Sequence, residues 1–188
     1  PGIRRALVDQ HEGGVHHHGR VAQPMEEVIR TGIAHLGFGR GEHRAFGRAE
    51  DLAEMAPAMH EREAEAHGWS CRYELLDLDL LPGKAAALPS LIDAAERDGF
   101  TGLNITHPCK VSVLPYLTDL SDDARNVGAA NTIVFSGRGR IGFNTDWWGF
   151  RESVARGLVG VPLARVVQLG AGGAGAATAY AALQLGVT

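Results

Sequence analysis

The chain has 188 residues and a mass of 20.0 kDa, enough for one domain with a real core or for one domain plus part of another. Hydrophobic residues at 45% and charged residues at 21% exclude wholesale disorder. A net charge of −4 makes nucleic acid and anionic membrane unexpected partners. The two cysteines, Cys71 and Cys109, form no disulfide framework and fit a reducing compartment. No apolar run approaches the roughly 18–20 residues that span a bilayer, and no signal-peptide pattern opens the chain. The expected location is therefore the cytoplasm. Glycine is the outlier: 25 of 188 residues, against an average near 7%.

In chain order, residues 1–56 are rich in Gly, Arg, His and Ala. Val28-Ile29 and Ile33–Phe38 are their only core-like pieces, with a short helix expected over Val21–Arg30. From Pro57 the text becomes regular. Helices are expected over Pro57–Gly68 and Pro89–Gly99, each with proline at the start and glycine at the stop. Strands are expected over Tyr73–Leu78 and Phe100–Ile105. Short helices follow over Lys110–Leu117 and Ser121–Val127. Asn131–Phe135 and Arg140–Asn144 flank Ser136-Gly137-Arg138-Gly139, a hairpin signal. Asp146–Gly157 reads as a helix with an apolar stripe of Trp147, Phe150, Val154 and Leu158. After a linker at Val159–Leu163 come a buried-type strand, Arg165–Leu169, a glycine turn and an Ala-rich helix to Gly186. The alternation of helix and strand points to α/β.

Four segments carry candidate chemistry. Gly170-Ala171-Gly172-Gly173-Ala174-Gly175 matches G-x-G-x-x-G after a strand and before a helix, a setting that cradles a dinucleotide pyrophosphate. The competing reading is a glycine turn without a ligand. Gly102-Leu103-Asn104-Ile105-Thr106-His107-Pro108-Cys109-Lys110 ends a strand in polar residues and puts a lysine at the next helix start. That lysine either reaches a ligand hydroxyl or carbonyl, or is simply solvated. Gly128-Ala129-Ala130-Asn131-Thr132 offers an asparagine suited to a polyhydroxylated ligand or to a turn. In Gly142-Phe143-Asn144-Thr145-Asp146, Thr145 or Asp146 caps the following helix, or Asp146 joins the lysine at a substrate C–OH. Cys109 lacks the surroundings of a catalytic thiol. His11 and His16–His18 lack ordered ligand spacing, so no metal site is expected.

Together, and in this order, the four segments resemble the shikimate dehydrogenase family, over about residues 57–188. His107 is similar to the quinate/shikimate subgroup, which often prefers NAD. The resemblance implies an α/β fold: a substrate-binding α/β domain with a mixed sheet over residues 57–158, then the first βα unit of a Rossmann domain over 159–188, incomplete there. It implies NAD or NADP as cofactor and hydride transfer between 3-dehydroshikimate and shikimate, or dehydroquinate and quinate, in the aromatic amino-acid (chorismate) pathway. Lys110 and Asp146 would be the catalytic pair. Thr106, Asn131 and Asn104 would bind the cyclic polyol acid, and Gly170, Ala171, Gly172, Gly173, Ala174 and Gly175 would hold the cofactor. A homodimer is compatible with it.

The chain departs from the family before Pro57. Two hydroxyl residues that would bind the substrate carboxylate are replaced by Glu54 and Ala56. Residues 1–56 are therefore expected to be an atypical segment, disordered or altered by a reading-frame error. An inactive fragment or a polyol-acid-binding module of the family is the alternative for the chain alone.

Overall fold

The computed structural model describes residues 2–9, 49–77 and 84–187. Its frame is one six-stranded mixed sheet. The strands are β1 (Gly2–Asp9), β2 (Ser70–Asp77), β3 (Gly102–Ile105), β4 (Asp119–Leu120), β5 (Thr132–Ser136) and β6 (Gly139–Phe143). They lie in the order β2-β1-β3-β5-β6-β4, with only β4 and β6 parallel among the pairs. The helices are α1 (Ala49–Ala66), α2 (Leu88–Arg97), α3 (Cys109–Ser112), α4 (Asp122–Val127), α5 (Asp146–Gly157) and α6 (Gly173–Gln184).

The core lies on one face of this sheet. In β3, Leu103 and Ile105 are buried while Gly102 and Asn104 are half-buried, the period-2 alternation of a strand with two different faces. Leu103, Ile105 and Ile133 meet Leu88, Ile92 and Ala95 of α2. The spacing of those three α2 residues puts them on one helical stripe. Arg140 of β6 ties α2 down from the rim, donating to Asp93 Oδ1 at 2.6 Å and to Glu96 Oε2 at 2.6 Å. Cys109 and Val113, four residues apart and fully buried, sink α3 into the same core. Ala124 and Val127 are the buried residues of α4, which Ser121 caps by accepting from Ala124 N at 3.2 Å.

Several expectations change. Residues 2–9 form a strand inside the sheet, and α1 begins at Ala49, so parts of the segment expected to be disordered are ordered. Alternation is faint there; pairing with strands on both sides supplies what the short run lacks. Pro57 stands within α1 rather than at its start. Val21–Arg30, Val28-Ile29, Ile33–Phe38 and the histidine run lie outside the described residues. The helix expected over Lys110–Leu117 is split into α3 and a 3-10 turn at Leu114–Tyr116, where Pro115 lacks the N–H a continuous helix needs. The apolar stripe of α5 is only half-buried, and Leu158 is exposed.

The largest change is at Arg165–Leu169, which forms no strand. Val167 and Leu169 are 90% and 95% exposed. A buried parallel strand exists only with neighbours to hydrogen-bond and helices to cover it, and no described strand lies beside this segment.

Candidate functional site

The hairpin of β5 and β6 builds the site. A two-residue turn joins Ser136 to Gly139, and the register that follows pairs Thr132 with Phe143. Asn131 and Asn144, each one residue beyond that pair, are thereby brought together. Asn131 N donates to Phe143 O at 3.0 Å and Ile105 N to Asn131 O at 2.6 Å, so three strand ends meet at one point. Lys110 arrives from the other side: its carbonyl accepts from Ala130 N at 2.8 Å. Asp146 is the first residue of α5.

Lys110 Nζ lies 2.5 Å from Asp146 Oδ2, with the two side chains 20% and 13% exposed. The pair is mostly desolvated, where Coulomb attraction outlasts screening better than on an open surface. The second carboxylate oxygen, Oδ1, accepts from Asn131 Nδ2 at 2.9 Å. Asn131 is buried and saturated. Its Nδ2 also donates to Thr145 Oγ1 at 2.8 Å, and its Oδ1 accepts from Thr145 N at 3.0 Å and Thr132 Oγ1 at 3.1 Å. Asn144 locks the strand exit, donating to Ala129 O at 2.9 Å and accepting from Asp146 N at 3.1 Å. Neither Thr145 nor Asp146 caps α5 through its side chain: Thr145 makes no side-chain cap bond, and Asp146 is spent on Lys110 and Asn131. Asn104, on the half-buried face of β3 and opposite Thr132 in register, donates to Thr132 Oγ1 at 3.4 Å. Thr106 stands at the turn after β3, where its carbonyl accepts from Cys109 N at 2.9 Å. Burial pushes the Cys109 thiol above its ordinary range, against a smaller lowering by Ser112, so no thiolate nucleophile sits beside Lys110.

The glycine turn lies against this cluster. A Cβ on Gly173 would come 3.1 Å from Lys110 Cβ and 3.7 Å from Ala129 Cβ. Gly170 has φ +108°, open to glycine at little cost, and a Cβ on Gly175 would strike the carbonyl of Gly170. Gln168 staples the turn, donating to Gly170 O at 2.8 Å and Gly175 O at 3.0 Å, and is itself held by Thr178 at 2.8 Å. Gly172 precedes α6 without a side-chain cap, so the N-cap position itself offers no side-chain acceptor to the first-turn N–H groups of this twelve-residue helix. Tyr180 docks α6 on the rest, edge-on to Trp147 at 5.1 Å and donating to Asp123 Oδ1 at 3.2 Å. The residues present therefore fit a dinucleotide phosphate: bare glycine backbone at an uncapped helix N-terminus. Among the described residues no group of histidine, cysteine or carboxylate side chains is placed to hold a metal. No helix among them is long and apolar enough to cross a membrane.

Sequence reasoning missed Thr132 and Gln168, and singled out Thr145 only as a helix cap. The signal for the two threonines is present: each follows an asparagine, and the hairpin turn sets the register that places Asn131 next to Asn144.

A lysine–aspartate pair at the strand ends of a mixed sheet thus lies against a glycine turn that opens a helix, in an α/β fold. Residues 53–133 match the model of the shikimate dehydrogenase substrate binding domain. The chain is 52% identical over 132 residues to the NADP(+) shikimate dehydrogenase of Streptomyces avermitilis, covering 70% of this chain and 45% of that protein. It is similar in structure to the quinate dehydrogenase of Corynebacterium glutamicum in complex with NAD, at TM-score 0.60 and 44% identity, covering 70% of this chain and 47% of the other. It is also similar to shikimate 5-dehydrogenase of Thermus thermophilus in complex with shikimate, at TM-score 0.53 and 35% identity, over 70% and 48% of the two chains. The chain belongs to the shikimate dehydrogenase family, and it spans about half the length of the curated relatives it matches.

Proposed function

We propose that this chain carries the substrate site and the glycine turn of an NAD(P)-dependent dehydrogenase acting on a cyclic polyol acid, shikimate or quinate. The observation that carries the reading is the Lys110–Asp146 pair, desolvated and braced by Asn131, with Gly173 against Lys110. Names of the similar proteins support the substrate class and the cofactor class.

In the oxidation direction the substrate C–OH loses its proton on the oxygen side and a hydride from carbon. A nicotinamide cofactor held at the glycine turn would supply the hydride acceptor. Lys110 orients the hydroxyl and, as the neutral amine, takes its proton to become the ammonium, or as the ammonium returns one in the reverse direction, while Asp146 fixes the lysine in line. Asn131 holds the second oxygen of Asp146 and meets a ring hydroxyl only by releasing Thr132 or Thr145. Asn104 and Thr106 line the approach to the remaining hydroxyls. Gly170, Ala171, Gly172, Gly173, Ala174 and Gly175 present backbone N–H groups to the pyrophosphate. The family role is the aromatic amino-acid pathway or quinate use, in the cytoplasm.

A second reading concerns these 188 residues by themselves. With Val167 and Leu169 exposed and Arg165–Leu169 unpaired, they bind the polyol acid without turnover. Calorimetric titration with shikimate, quinate, NAD(H) and NADP(H) in turn tests both readings. Binding of one acid that is lost in Lys110→Met supports the site. A folded chain that binds neither acid refutes it. A measurable NAD(P)-linked rate from this chain overturns the second reading alone.

A further inference from the structure

We infer that Tyr73 is a positioning residue for the Lys110–Asp146 site, acting through Asn104, Thr132 and Asn131. This rests on the functional reading above and extends it to a strand that no part of that reading uses.

The argument is one of hydrogen-bond direction, starting from a donor that has no choice. Thr145 N–H can only donate, and it donates to Asn131 Oδ1, so the Asn131 amide nitrogen must face Asp146 and Thr145 Oγ1. Asn131 Oδ1 can only accept, so the Thr132 hydroxyl spends its single proton there. Thr132 Oγ1 is left as an acceptor, and Asn104 Nδ2 fills it at 3.4 Å. Asn104 Oδ1 then faces the Tyr73 hydroxyl, which must donate, at 2.9 Å. Every bond in the series is therefore oriented toward the carboxylate of Asp146. Tyr73 feeds this series from a buried side chain on β2, two strands away from β3 in the sheet order, with its ring stacked on His60 of α1 at 4.7 Å and 5°. A phenol there costs desolvation unless its hydroxyl is bonded, and this bond supplies the partner.

Without that hydroxyl, the Asn104 amide loses what holds it in one orientation. It is then free to turn, Thr132 loses its donor, and the hold on Asn131 loosens.

The test uses side-chain amide NMR and shikimate titration on the 188-residue chain. In Tyr73→Phe the Asn104 and Asn131 amide resonances move, and shikimate binds about three- to tenfold more weakly, the scale of one hydrogen bond. His60→Ala, which removes the stack but keeps the hydroxyl, leaves the Asn131 amide where it was. If Tyr73→Phe fails to fold, the near-isosteric Thr132→Val breaks the same series one link on and moves the Asn131 amide likewise. An unmoved Asn131 amide in folded Tyr73→Phe overturns the inference. So does a His60→Ala chain that shifts Asn131 equally, which would make packing the cause, and so does a moved amide with unchanged shikimate affinity. Absence of shikimate binding by the wild-type chain counts against the functional reading instead, and the amide shifts still decide the direction of the series.

Discussion

Two stretches of this chain carry text of similar promise, and the fold treats them oppositely. In Asn131–Asp146 the polar residues at the two ends, Asn131, Thr132, Asn144, Thr145 and Asp146, are largely buried and mutually bonded. Arg165–Leu169 is apolar and ends with Val167 and Leu169 almost fully in solvent. The first stretch has its partners close in sequence: a hairpin brings both halves together, and α3 closes over the end. The second depends on strands beside it, and no described strand lies there. An apolar run is thus an instruction to pair, and it is carried out only where the pairing partners stand.

The difference should be measurable. Ile133→Ala, which empties a fully buried position between α2 and the sheet, is expected to cost about 3–4 kcal/mol, whereas Leu169→Asp changes stability by about 0.5 kcal/mol or less. Urea midpoints of the two variants decide this, and equal losses would mean that Leu169 is packed. Next in size is Asp146→Ala. It strands the largely buried Lys110 and removes the acceptor of Asn131, for a loss of about 3 kcal/mol, somewhat less if the ammonium finds water. Gly175→Ala is expected to cost about 1–3 kcal/mol, because the added methyl meets the Gly170 carbonyl and forces the turn open. A thermal melt showing no loss would contradict the turn geometry.

The last contrast is a pH effect. Burial, with Glu61 adding to it, pushes the Cys71 thiol up to about 11 from its ordinary 9.0. Its folded pKa lies above the unfolded one, so the folded state holds the proton more tightly. The contribution to stability is complete below about pH 9 and is lost as pH rises through about 11. Wild type should therefore lose stability more steeply over that interval than Cys71→Ser. Parallel profiles would show that the thiol is not desolvated.

What the sequence disclosed follows the same division. The bounds of α5 were legible residue for residue, and those of α2, β5 and β6 to within one or two, because a proline near a helix start, glycine stops and a two-residue turn are local signals. Lys110, Asn131 and Asp146 were legible as candidates, but each equally allowed a bland reading. What sets these residues apart is partnership at a separation of 36 residues for Lys110 and Asp146, and no local pattern carries that. β1 was missed since its neighbours in the sheet, β2 and β3, lie more than sixty residues away in sequence. The strand expected at Arg165–Leu169 was an error of the opposite kind, in which composition stood in for neighbours.

The most direct test of the account is to map shikimate onto the chain by NMR chemical shifts. Perturbations centred on Lys110, Thr106, Asn104, Asn131 and Asp146, and abolished in Lys110→Met, are the predicted result. A folded chain whose shifts stay fixed under shikimate and quinate alike, or move only away from these residues, would contradict it.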